Sequence, residues 1–141
     1  MRPSSAYTTD ELVELCIAIR HPKQPLSVEL DHVLLIEQFR IPAHVANCPA
    51  WQIEVVAGII EPGETAEDVA RREAVEEAGC TILDLEPIHR FLVSPGAVTE
   101  TVALFCGRID SAGLGGLLGL AHEQEDIKVS VVAAADAIAL V

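Results

Sequence analysis

Apolar positions along the chain fall into short runs separated by turn residues, and one segment alone carries a helical period. "LVELCIAI" (Leu12–Ile19) and "HVLLIEQF" (His32–Phe39) read as strands, divided by the proline-containing turn "RHPKQP". "IPAHVANCPA" reads as a loop, and "WQIEVVAG" (Trp51–Gly58) as the next strand. Pro62 and Gly63 then break regular structure. Thr65, with Asp68 three residues on, is placed to cap a helix that Gly79 stops. Two short strands follow, Ile82–Leu85 and Ile88–Val93, then an "SPG" turn at Ser94–Gly96. In the strand within Thr99–Ile109, Thr101, Ala103 and Phe105 alternate with Val102, Leu104 and Cys106; both sets are largely apolar, so burial on both faces is expected. Gly113, Gly115, Gly116 and Gly119 suggest a mobile loop, "IKVSVV" a strand, and "AAADAIAL" a last helix. The pattern predicts an α/β fold of one domain over 1–141: a mixed β-sheet with a central helix and a terminal one, an α/β/α sandwich.

Composition narrows the function classes. Half of the 141 residues are hydrophobic and 22% charged, a globular balance. A net charge of −13 argues against nucleic acid or an anionic membrane as partner. A small anionic substrate stays open, provided a cation stands between carboxylates and phosphate. Cys16, Cys48, Cys80 and Cys106 are widely spaced, which suits buried, reduced thiols. The N-terminal stretch lacks a signal-peptide core and no apolar run reaches membrane-spanning length, so a cytoplasmic protein is expected. The five histidines show no metal-ligand spacing, and none is assigned a role.

The helical segment holds the chemistry. Gly58 to Cys80 carries seven carboxylates. On a wheel of about 100° per residue, Glu73 and Glu77 fall within roughly 60° of Ala66, with Val69 and Ala70, and Glu76 lies just beside them. An ordinary surface helix with salt bridges such as Arg72–Glu76 would put its carboxylates opposite the alanines. Carboxylates on the small-residue face must be neutralised. Hard divalent ions with oxygen ligands do that, Mg²⁺ above all, with Mn²⁺ as the alternative.

The spacing itself is distinctive: Gly58, five residues, Glu64, seven residues, Arg72-Glu73, two residues, Glu76-Glu77, one residue, Gly79, then Cys80. It resembles the Nudix box at every charged and glycine position; Ala74 and Cys80 are softer matches. The resemblance implies the Nudix α/β/α sandwich and metal-dependent hydrolysis of a nucleoside diphosphate linked to another group. By position, Glu73 and Glu77 resemble the principal metal ligands. Glu76 resembles a further ligand or water-positioning group, Arg72 a residue that orients the glutamates, and the Ala57 carbonyl a completing ligand. Glu64 resembles a structural brace, and Gly58 a point of close backbone approach.

Three further stretches resemble the ADP-ribose pyrophosphatase branch of that family. "LLIEQFRIP" resembles the strand presenting an arginine, here Arg40, to the substrate diphosphate. "FLVSPGAVTE" puts Pro95 sixteen residues after Gly79, and Glu100 where the branch carries a glutamate near the metal. "GLAHEQEDIKV" resembles the loop that closes over substrate, with Glu123 as general base and Glu125 as a substitute base or extra metal ligand. The resemblance spans about Val33 to Val132. Beyond it, the branch's N-terminal dimerisation segment and C-terminal helix look shortened, so a homodimer, if formed, is expected to be weakened. The leading expectation is hydrolysis of ADP-ribose to AMP and ribose 5-phosphate. The alternatives are another nucleotide sugar such as GDP-mannose, or a non-catalytic nucleotide-binding module.

Overall fold

The computed structural model describes residues 11–19, 32–110, 112–119 and 126–140. It contains β1 (Glu11–Ile19), β2 (His32–Phe39), α1 (Ile41–Val45), β3 (Trp51–Glu54), β4 (Val56–Ile59) and α2 (Ala66–Glu76). Then follow β5 (Ile82–Leu92), β6 (Thr101–Ile109), β7 (Gly116–Leu118), β8 (Ile127–Ala133) and α3 (Ala134–Ile138). The strands form one mixed sheet in the order β5-β6-β1-β2-β8-β7, with β3 on β2 and β4 on β1. Among the described residues, β1 and β6 pair parallel and the other pairs are antiparallel.

A fork in this sheet sets up the site. β1 and β2 pair only through Ile17–Ile19 and His32–Leu34, then diverge. The segment Trp51–Ile59 fills the gap, β3 pairing with Ile36–Phe39 of β2 and β4 with Leu12–Leu15 of β1. The single strand expected over Trp51–Gly58 is thus two strands, because the chain changes neighbours at Val55.

α2 packs on β4, β1 and β5. Leu34 and Ile36 of β2, Val56 of β4, Phe105 and Ile109 of β6, and Ile127 and Val129 of β8 form the core with Val69, Ala70 and Ala74 of α2. α3 contacts β8 and β2, and Leu140, just past it, lines a shallow pocket with Leu35 and Val132 on the opposite sheet face. Helices therefore lie on both faces, as the sandwich expectation requires. β6 has no exposed residue, and Val102 and Ala103 are both buried although they point to opposite faces.

Four local expectations are corrected. The loop after Phe39 contains the one-turn helix α1, with Pro42 in its first turn, where a missing N–H costs nothing. The two short strands after α2 are one strand, β5, whose register slips between Ile82 and Asp84 and between Pro87 and His89. Its second irregularity falls at a proline, which has no N–H for the ladder. The glycine-rich stretch includes β7, an edge strand on β8. Cys48 is exposed rather than buried, while Cys80 is buried and Cys106 intermediate; all three are free thiols. No described helix is long and apolar enough to cross a membrane.

Candidate active site

Local sequence fixes the ends of α2. The Thr65 hydroxyl accepts from the Asp68 amide at 3.2 Å, and the Asp68 carboxylate accepts from the Thr65 amide at 3.0 Å, a complete capping box. The Thr65 hydroxyl also donates to Asp68 Oδ2 at 2.6 Å, and this bond foremost, with the one from the Thr65 amide, holds the Asp68 carboxyl below the usual range. At the other end, the Gly79 and Cys80 amides donate to the Val75 and Ala74 carbonyls, with Gly79 at φ +62°. Glu77 is the C-cap residue.

Between these ends the helix buries its small residues and takes carboxylates inward with them. Val69, Ala70, Ala74 and Ala78 are essentially inaccessible, and Glu77 is only 5% exposed. Its Oε2 accepts from the backbone amide of Ala57 on β4 at 3.2 Å. Glu73 lies one turn earlier, with its side chain 14% exposed. It faces Gly58 so closely that a Cβ there would overlap the Glu73 carboxylate. Gly58 is therefore required by space, not by an unusual backbone angle.

Arg72 joins the group together. Its Nε donates to Glu64 Oε1 at 2.9 Å, and its Nη1 donates to Glu73 Oε1 at 2.7 Å and to Glu76 Oε2 at 2.9 Å. The Glu76 contact is the ordinary i, i+4 bridge anticipated from sequence, but it is one of three. Those carboxylates, Glu64 foremost, raise the Arg72 pKa above its already high value. Arg72 in turn holds the Glu64 carboxyl below the usual range, helped by the Glu61 amide, which donates to Glu64 Oε2 at 3.1 Å. Glu64 thus braces the turn before α2 and pins the guanidinium.

One guanidinium here serves Glu64, Glu73 and Glu76, with Glu77 buried alongside. The donor set is entirely hard oxygen, concentrated on a partly buried face, which is the chemistry of a Mg²⁺ or Mn²⁺ site. Among the described residues, no three carboxylates are yet drawn together at one metal position. They surround Arg72 instead. The residue types fit a divalent ion, and binding would require Glu73, Glu76 and Glu77 to converge.

Two of the remaining predicted residues lie against this cluster. Ala57 and Gly58 are on β4, directly under α2. Val13 of β1 pairs with Gly58 on one side and Ala103 on the other, so the three form one row. Glu100, three residues before Ala103, closes the β5–β6 loop by accepting from the Val93 amide through its backbone carbonyl at 3.2 Å. Pro95 is exposed in that loop, where the Ala97 and Val98 amides both donate to the Ser94 carbonyl at 2.9 Å. Glu123 and Glu125 fall outside the described residues.

Arg40, half-exposed just past β2, is held in an ion pair. Its Nε and Nη2 grip the Glu54 carboxylate in a two-pronged pair, with Nε–Oε1 at 2.9 Å. Glu54 was missed by sequence reasoning. The pairing spans fourteen residues and becomes visible only once the β2–β3 register is known.

A family model described as the NUDIX domain matches residues 16–135. The chain is 47% identical over 108 residues to an ADP-ribose pyrophosphatase of Escherichia coli strain K12, covering 77% of this chain and 52% of that protein. It is 35% identical over 109 residues to a GDP-mannose pyrophosphatase of Pectobacterium atrosepticum, covering 77% of this chain and 55% of that one. The chain spans about half the length of the curated relatives it matches. The crystal structure of an ADP compounds hydrolase aligns with a TM-score of 0.67 at 21% identity, over 94% of this chain and 62% of that one, a likeness of fold. With its carboxylate helix, its forked mixed sheet and a family match running from Cys16 to Ala135, the chain belongs to the NUDIX domain family.

Proposed function

We propose that the chain hydrolyses the diphosphate of a nucleoside diphosphate sugar, with ADP-ribose as substrate and AMP and ribose 5-phosphate as products. The observation that carries this reading is the buried carboxylate face of α2, with Glu73 and Glu77 packed among alanines against β4. A structural helix gains nothing from desolvating carboxylates there. The likeness to a protein named ADP-ribose pyrophosphatase supports the substrate, and supports it more strongly than the likeness to the GDP-mannose enzyme.

Glu73 and Glu77, with Glu76 and the Ala57 carbonyl, would hold Mg²⁺ or Mn²⁺; Glu125 is a further candidate ligand. The ion would supply charge neutralisation for the diphosphate and lower the pKa of a bound water. Arg72 keeps the glutamates oriented, and Gly58 leaves room for Glu73. Arg40 grips the diphosphate, where a planar guanidinium can donate two bonds to phosphate oxygens. Pro95 shapes the neighbouring loop, and Glu100 stands near the metal site. Glu123 takes the proton from the attacking water, and closure of its loop excludes solvent.

The test is a panel of nucleoside diphosphate sugars with Mg²⁺ and products separated by chromatography. ADP-ribose should give AMP and ribose 5-phosphate, with label from ¹⁸O-water in AMP, since attack is expected at the adenosyl phosphorus. Preferential cleavage of GDP-mannose would favour the second reading. Binding without turnover of any member would mark a non-catalytic module.

A further inference from the structure

The fork between β1 and β2 carries a second polar group besides the glutamates of α2. Side chains alternate along a strand, so Gln38 and Arg40 point to the same sheet face as Leu34 and Ile36, the face covered by α2. In register, Gln38 lies opposite Gln52 and Ile36 opposite Glu54, while the Arg40 amide donates to the Ala50 carbonyl at 2.8 Å. Arg40 would therefore meet Ala50 if it stood upright. Instead its guanidinium reaches Glu54 at the far end of β3, four residues on from Ala50 and roughly 13 Å away along the strand. Glu54 sits where the chain crosses from β2 to β1, three residues before Ala57 and so within roughly 10 Å of it along the backbone.

Next to this pair is a donor with no acceptor. Gln38 is only 7% exposed, and its Nε2 is buried without a hydrogen-bond partner. A buried amide donor left unpaired carries a standing cost that an arriving acceptor would relieve. The patch thus holds a half-exposed guanidinium, paired on one edge with Glu54, beside a buried amide donor, on the face that also bears the carboxylate helix.

We propose that Glu54 is a positioning residue: it draws the Arg40 guanidinium along the hairpin to the fork beside Ala57, where that group meets the substrate diphosphate. The identity of the ligand rests on the pyrophosphatase reading above; the steering of Arg40 rests on the pair's geometry. A guanidinium held on one edge by a carboxylate has its plane set before the ligand arrives, so less freedom is lost on binding.

The test measures binding of inorganic pyrophosphate with Mg²⁺ by calorimetry in wild type, Glu54→Gln, Arg40→Ala and the double variant. Both single variants should weaken binding by about tenfold or more, and the double variant should bind no more weakly than Arg40→Ala alone. Thermal unfolding should barely move, because the pair is partly exposed at 42% and 27% of its side chains. With ADP-ribose, Glu54→Gln should raise KM more than it lowers kcat. Unchanged or tighter pyrophosphate binding by Glu54→Gln, additive losses in the double variant, or no pyrophosphate binding by wild type would each overturn the proposal. If Glu54→Gln does not fold, Glu54→Asp decides: a shortened reach should give an intermediate loss, and wild-type binding would count against the idea. Wild type that binds pyrophosphate but leaves ADP-ribose intact would sink the substrate assignment while the Glu54 result stands.

Discussion

Gly58 leaves open the space that the Glu73 carboxylate fills: the hydrogen on Gly58 faces a carboxylate that would collide with any Cβ placed there. The strand under α2 therefore has no room for a side chain beneath the glutamate. Gly58→Ala should force Glu73 aside while β4 keeps its pairing with β1. We expect hydrolysis to fall about 10²-fold, the usual penalty for misplacing a reacting-site group by about an ångström. Circular dichroism should be preserved. Wild-type turnover in this variant would show that the position of Glu73 does not matter.

Glu77→Gln separates charge from architecture. The substituted amide keeps an oxygen able to accept the Ala57 N–H, so the link between α2 and β4 should survive. The negative charge is lost, and with it a proposed metal ligand. Activity should drop by about 10²- to 10³-fold with little change in melting temperature. Near wild-type rates, or wild-type activity that persists in a chelator, would remove the metal assignment.

Glu64 makes stability depend on acid. Its carboxyl titrates below the ordinary range because Arg72 and the Glu61 amide favour the charged form. A group depressed in this way contributes stability above its unfolded pKa and loses it as pH falls through the folded value. The same holds for Asp68 in its capping box. Stability should therefore decline below about pH 4. Glu64→Gln should flatten that decline, as followed by urea unfolding at a series of pH values. An identical acid slope in wild type and variant would exclude Glu64 as a contributor.

Glu123→Gln probes the proposed base. Turnover should fall about 10²- to 10⁴-fold while substrate affinity and Mg²⁺ affinity hold. Glu125→Gln should affect turnover less, or weaken metal binding instead. Unchanged kcat in Glu123→Gln would pass the role to Glu125.

The elements readable from sequence were those written locally. Thr65, Asp68 and Gly79 mark both ends of α2 through contacts a few residues apart, and the wheel places Glu73 and Glu77 on the alanine face. What escaped depends on neighbours distant in the chain. The split of Trp51–Ile59 at Val55 follows from two strands, β1 and β2, parting from one another. Nothing between Ile82 and Leu92 reveals that β6 pairs across both irregularities of β5. Arg40 is placed at the substrate diphosphate by resemblance alone, and its pairing with Glu54 shows only once the hairpin register is known. Arg72 was expected to orient the glutamates, yet its three-way contact, Glu64 included, needed coordinates to see.

The parallel pairing of β1 with β6 has a consequence for how the protein is made. Nine successive positions of β1, Glu11–Ile19, await partners in Thr101–Ile109. Thr101 follows the last residue of α2 by twenty-five positions, roughly 1–5 seconds of synthesis. During that interval the residues of the carboxylate helix exist before those of the strand that pairs with β1. Long-range closures of this kind are the slow steps of folding. The sheet beneath the carboxylate helix thus depends on a strand that contributes none of the glutamates of α2.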